Sequence, residues 1–155
     1  MFHLFLLRFN FDIMTEKTYV TEFPIEHIPD EDLLFYRVHA VNIDLEEQHP
    51  TKRIKLVAFD PHPKGSTQMS TNWKRYSTPL ELQQLAKVPE KNGVVSFEVG
   101  KVRNVPCPLQ VIHDPILTEH FRNQAHALVL DIPQRKNDIG IRVKLRDICS
   151  WEITV

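Results

Sequence analysis

Apolar and polar residues alternate along much of this chain, and a period of two argues for half-buried strands. Leu33–Val41 (LLFYRVHAV) is rich in β-branched and aromatic residues and predicts a strand. Ile54–Phe59 (IKLVAF) predicts a second. Val95, Phe97 and Val99 alternate before Gly100 breaks the run, and Val102–Val105 reads as a short strand ended by Pro106-Cys107-Pro108. Leu109–His113 and His126–Ile132 are further strands, joined by the polar stretch 114–125. Ile141, Val143 and Leu145 alternate with Arg142, Lys144 and Arg146, which predicts a strand with one apolar and one basic face. Leu145, Ile148 and Cys149 fit a helical turn equally well. Trp151–Val155 ends the sequence in β-prone residues. Before all of these, 15–32 is a polar, acidic lead-in with one short strand at Tyr19–Phe23.

The helical signal is concentrated at one place. Thr78-Pro79-Leu80-Glu81 combines a threonine N-cap, proline at the first helical position and glutamate three residues after the cap. The two side chains satisfy backbone donors that a helix start leaves orphaned. Leu82, Leu85 and Ala86 then share a face and Pro89 stops the run, so a helix is predicted over about 78–88. Residues 42–52, 60–68 and 90–93 are turn-rich. The segment Gln68–Tyr76 reads as a loop anchored by Trp73 and Tyr76. Strands outnumber helices and do not alternate with them. The predicted class is therefore α+β: a mainly antiparallel sheet, one well-capped helix and short extra helical turns.

Composition narrows the class without naming a function. The 155 residues suffice for one self-supporting core. Met14 reads as the natural start, 14–155 as a single globular domain and 1–13 as an upstream extension. A genuine apolar strand or a membrane-associating segment is the other reading of that run. MFHLFLLRFNFDIM is shorter than the about 20 apolar residues that span a bilayer, and Arg8 interrupts it. No membrane partner is expected. A formal net charge of −1 argues against binding to nucleic acid mainly by phosphate neutralisation. Cys107 and Cys149 form no CxxC pair, which speaks against a thiolate zinc site and fits free thiols in a reducing cytoplasm.

The candidate chemistry lies in three segments. His113-Asp114-Pro115 ends one apolar run, and His126 opens the next. Paired imidazoles can act as general base and general acid in a metal-independent phosphodiesterase, with Arg37, Arg103 or Arg122 stabilising the developing charge and Asp114 orienting a ring. His113, Asp114, His120 and His126 are also possible metal ligands, at spacings unlike a helical His pair, so no metal and no cofactor is called for. The plainer role for His113 is to end a strand by bonding a backbone carbonyl. In the second segment, strand periodicity puts Arg37 and His39 on one face, where they can bind an anion or simply line a solvated surface. The third, Gln68–Tyr76, offers Ser70 beside aromatic and cationic groups that can stack on a base. Arg142, Lys144 and Arg146 read as a wet, basic sheet face.

The order L-x-x-Y-R-V-H, M-S-T-N-W, G-V-x-S-F, V-x-H-D-P and N-x-A-H-A-L-V runs through residues 28–153. It resembles a scattered family of small bacterial proteins associated with defence or toxin–antitoxin neighbourhoods. The positions that carry the likeness are Arg37, His39, Ser70, Phe97, His113, Asp114, Pro115 and His126. A fainter likeness is to ADP-ribosyltransferase-like toxins, with Arg37 or His39 and Ser70 in the first two roles. Glu98 is the one candidate for their late glutamate, and its surroundings depart from the pattern. The likeness to the small bacterial family transfers no catalytic assignment to its positions. The reading taken from the polar residues themselves is a cytoplasmic accessory or interaction module that binds a protein partner or a nucleotide-like ligand. In the expected site, His39, Ser70 and Asp114 bind and His113, His126 and Arg37 stand ready for catalysis. The alternative is a nuclease or phosphodiesterase, or a transferase toxin, acting on a nucleotide or RNA.

Overall fold

The computed structural model describes residues 22–51, 53–134 and 136–155. The predicted strand at Tyr19–Phe23 and the extension 1–13 lie wholly or largely outside these residues.

Among the described residues a six-stranded, fully antiparallel sheet organises the fold, in the order Gln110–His113, His126–Leu130, Met69–Trp73, Leu33–His39, Asn92–Glu98 and Ser150–Ile153. The strands are β1 (Leu33–His39), β2 (Met69–Trp73), β3 (Asn92–Glu98), β4 (Gln110–His113), β7 (His126–Leu130) and β8 (Ser150–Ile153). Between β4 and β7, β5 (Ile116–Leu117) and β6 (Arg122–Asn123) form a separate small hairpin. The helices are α1 (Pro79–Gln84), α2 (Val99–Arg103) and α3 (Gly140–Ile148). The predicted α+β class is the one observed.

The sheet buries its two faces unequally. Leu34 and Val38 of β1, Val95 and Phe97 of β3, Trp73 of β2, and Ala127 and Val129 of β7 share one face. They pack with Ile28, Phe59, Val102, Ile141 and Leu145 into the main core. The opposite face carries Phe35, Arg37 and His39 on β1, and Ser70 and Asn72 on β2. Only its β1–β3–β8 end is closed, where Leu82 of α1 meets Phe35, Val94 and Ile153. Beside the β1–β2 junction that face is polar and open to a cavity, through Arg37, His39, Ser70 and Asn72. Gly93 is required by packing: a Cβ there would stand 2.6 Å from the Trp151 ring and 2.8 Å from the Ile153 carbonyl, so the edge strand β8 could not close on β3.

Several predicted elements change type. The alternation of Ile141, Val143 and Leu145 belongs to α3, which buries Ile141, Arg142 and Leu145 on one side. Arg142 is not on a wet face. It is fully buried, donating from Nε to Asp60 Oδ1 at 2.6 Å and from its Nη atoms to the carbonyls of Asp138 and Pro133. The neighbourhood of Val102 is α2 rather than a strand. Ile54–Phe59 makes one isolated bridge at Ile54 and then a 3-10 turn over Leu56–Phe59. The capped helix is observed with both reciprocal bonds of its box, Glu81 N–H to Thr78 Oγ1 at 3.2 Å and Thr78 N–H to Glu81 Oε2 at 2.7 Å. It is shorter than predicted, ending at Gln84. The segment read as a loop contains β2, a central strand.

Candidate functional site

The β1–β2 ladder pairs only Leu34 with Trp73 and Phe35 with Asn72. Past Phe35, β1 stays paired with β3, while β2 stays paired with β7. The sheet therefore splits along one seam. A cavity of about 600 Å3 lies at the split, within the size range of small-molecule sites. Arg37 and His39 line it from β1, Ser70 and Asn72 from β2, and His126 from β7. Leu82 and Leu85 form one apolar wall at α1; Ile116 and Phe121 form another at the β5–β6 hairpin.

The lining includes arginine and histidines but no aspartate or glutamate among the described residues. Arg37 is half-buried and makes no hydrogen bond or ion pair with them. Its guanidinium is thus available to a ligand. Tyr36, next to it, turns its side chain to the core face and donates its hydroxyl to the Ala58 carbonyl. Burial pushes the Tyr36 pKa up to about 12, against the opposing pull of Arg37.

His126 is held by Asp114. Its Nδ1 lies 2.6 Å from the Asp114 backbone oxygen and 3.2 Å from Asp114 Oδ2. Both partners can only accept, so Nδ1 carries the proton and the neutral ring leaves a lone pair on Nε2. His39 shows the opposite tautomer. Its Nδ1 accepts the Val41 N–H at 3.2 Å, which leaves the proton on Nε2. One cavity thus contains an imidazole acceptor and an imidazole donor. Asn72 is fixed through Ser77 Oγ on its Nδ2 side and through Asn123 Nδ2 on its Oδ1 side, at 3.2 and 2.9 Å.

His113 does not join them. It pairs with Ala127, one residue from His126, so the two rings project from opposite faces of the sheet. The His113 ring is buried against Trp73 and Tyr76, with centroids 5.2 and 5.9 Å away. Its Nδ1 accepts the Glu26 N–H at 3.1 Å, and its Nε2–H donates to the Gln124 carbonyl at 2.7 Å. Both nitrogens are committed to backbone, and an acid–base pair of His113 with His126 is ruled out by this geometry. The expectation that His113 bonds a carbonyl at a strand end describes it better.

The other candidates separate as well. Asp114 acts on His126 from outside the cavity lining. Arg103 pairs with Asp30 and donates to the Val111 carbonyl at 3.2 Å. Glu98 pairs with Lys101 at 2.9 Å and sits opposite Leu33, at the far end of β1 from His39, so it does not meet Arg37 and Ser70. His120 is exposed beside Glu119. Among the described residues no group of three or more histidine, cysteine or acidic side chains gathers as a metal site would; of the four possible ligands, Asp114 and His126 touch, while His113 lies on the other face and His120 is exposed. No helix among them is long and apolar enough to cross a membrane. Asn72, Asn123, Leu85 and Phe121 are cavity residues that sequence reasoning missed. Asn72 was within reach, since Met69, Thr71 and Trp73 alternate around it.

Comparison with protein-family models, with curated proteins and with solved structures finds no match for this chain.

Proposed function

We propose that this protein is a binding module for a small anionic ligand of mononucleotide size, seated in the cavity at the β1–β2 split. The observation that carries the reading is the composition of that lining: an unpaired Arg37, His39 and His126 at hand, and no carboxylate among the described residues. A phosphate accepts from a guanidinium and from an imidazole N–H, which Arg37 and His39 offer. Apolar lining at Leu82, Leu85, Ile116 and Phe121 suits the planar part of such a ligand. The amides of Asn72 and Asn123 supply directional polar groups between them. The defence or toxin–antitoxin setting implied by the resemblance is compatible with a nucleotide sensor of this kind.

Thermal unfolding with adenosine, guanosine, cytidine and uridine monophosphates, each beside its nucleoside, tests the reading. A ligand that binds only the native state raises the melting temperature in proportion to its affinity. At least one monophosphate should raise it more than its nucleoside does. Arg37→Ala should cut that affinity by about tenfold or more, as loss of a charge-assisted hydrogen bond costs about 1.5–3 kcal/mol. Equal shifts with nucleoside and nucleotide, or no shift with any of them at millimolar concentration, would reject it.

A further inference from the structure

The same cavity holds the parts of an activated hydroxyl, an inference that rests on the binding reading only for the anionic group of its substrate. Ser70 is exposed on β2, and its hydroxyl makes no hydrogen bond to the described residues. The β2–β7 ladder pairs Asn72 with His126 and Ser70 with Leu128. Ser70 is therefore the diagonal neighbour of His126 on one face. Such neighbours stand about 7–8 Å apart at the backbone, within reach of a long side chain. His126 Nε2 has its lone pair free because Asp114 fixes the proton on Nδ1.

The backbone adds a second element. Trp73 N–H donates toward β7, to the Ala125 carbonyl at 2.7 Å. Alternation along the strand turns the N–H groups of Asn72 and Ser70 the other way, toward β1. Asn72 finds Phe35 there, whereas Ser70 has no ladder partner because the seam has opened. By the same alternation the Arg37 N–H turns into the split from the β1 side. Main-chain donors from both strands thus face the space beside Ser70, where an oxyanion would form.

We propose that Ser70 is the nucleophile of an acyl transfer, with His126 as its base, on an ester that carries a separate anionic group. His126 Nε2 takes the hydroxyl proton as Ser70 Oγ bonds to the carbonyl carbon, and the carbonyl π pair moves onto oxygen. The intermediate collapses, the bond to the alcohol oxygen breaks, and His126 returns its proton to that alcohol. Water, losing its proton to the same Nε2, then releases the carboxylic acid and restores Ser70. Asp114 is a positioning residue. Arg37 and His39 hold the anionic group of the substrate.

A fluorophosphonate tests the pair without knowledge of the ester. Its phosphorus bonds to an activated serine oxygen, fluoride leaves, and the proton remains on the base. Intact-mass measurement of the whole protein should show one adduct, mapped to Ser70 by peptide sequencing. Ser70→Ala should take none, and His126→Ala should label at least about a hundredfold more slowly, in line with a general base. Asp114→Asn should slow labelling less, because the backbone oxygen still holds Nδ1, and should move the midpoint of the rate–pH profile. Circular dichroism confirms that each variant is folded. Folded wild type that takes no adduct, takes it elsewhere, or labels no faster than His126→Ala overturns the proposal. If that wild type is still stabilised by a nucleotide, the nucleophile alone has failed and the binding reading stands.

Discussion

Arg142 reaches Asp60 at 2.6 Å from inside the core, tying α3 to the segment that follows the 3-10 turn. The guanidinium is fully buried and has three hydrogen-bond partners, one carboxylate and two backbone carbonyls, so every nitrogen of the fork is satisfied and Asp60 supplies the opposing charge. Removing the carboxylate alone leaves an uncompensated buried cation, the costly way to break such a pair. Asp60→Ala is therefore expected to lose about 3–5 kcal/mol of unfolding free energy in urea titration. A double replacement, Arg142→Met with Asp60→Leu, should lose less than Asp60→Ala. Equal losses would show that packing, not the unpaired charge, sets the cost.

The two histidines of the central motif should respond differently to mutation. His113 bridges the Glu26 N–H and the Gln124 carbonyl from within the core. His113→Ala leaves both backbone groups unsatisfied and opens a void, an expected loss of about 2–4 kcal/mol. His126→Ala removes a side chain at the cavity wall and should cost less in stability. In labelling the order reverses, with His126→Ala the more damaging of the two. Urea midpoints measured beside labelling rates check the crossover; a His113→Ala protein that keeps wild-type stability would contradict the placement of its ring.

Local signals in the sequence were reliable where one short-range rule decides the outcome. Thr78 and Glu81 form the box that their spacing predicts, and β1, β3, β4 and β7 follow from β-prone runs. The signals failed where tertiary packing decides. Ile141, Val143 and Leu145 satisfy a period of two, yet Ile141 and Leu145 are also one helical turn apart, and burial of Arg142 between them selects the helix. β2 was hidden because Ser70 and Asn72 look like loop residues until their face proves to be the polar one. The site was partly legible for the same reason. Arg37, His39, Ser70 and His126 lie on one face because strand parity puts them there, but parity also sends His113 to the other face. The seam between β1 and β2, which makes the cavity, has no local signature.

The helix cap should influence the cavity as well as stability. Thr78 starts the helix whose Leu82, with the C-cap residue Leu85, forms one cavity wall. Thr78→Ala removes the acceptor for Glu81 N–H, and loss of such a cap costs about 1 kcal/mol. A frayed α1 leaves that wall less ordered. The variant is expected to lose about 1 kcal/mol in urea titration and to bind the nucleotide of the thermal test more weakly. Thr78→Ser keeps the acceptor and should restore both. Binding that weakens equally in both variants would detach the cap from the cavity.

Alkaline pH should destabilise this protein through two buried acids. Burial pushes the Tyr36 hydroxyl from 10.0 up to about 12, and the Cys149 thiol from 9.0 up to about 12. Each group is neutral when protonated, and the unfolded chain lets it ionise at its ordinary value. Between the ordinary and the folded value the native state holds more protons than the unfolded one, so stability falls as pH rises. The Cys149 contribution is complete below about pH 9 and is lost toward pH 12; that of Tyr36 is complete below about pH 10 and is lost over the window above it. Each amounts to a few kcal/mol, since one pH unit corresponds to about 1.4 kcal/mol. Cys149→Ala should flatten the urea midpoint from pH 9 upward, and Tyr36→Phe only above pH 10. The Tyr36→Phe protein also loses its bond to the Ala58 carbonyl, about 1 kcal/mol at every pH, which a pH series separates from the titration. Parallel curves for wild type and both variants across that range would mean that neither group is as shielded from water as the packing shows.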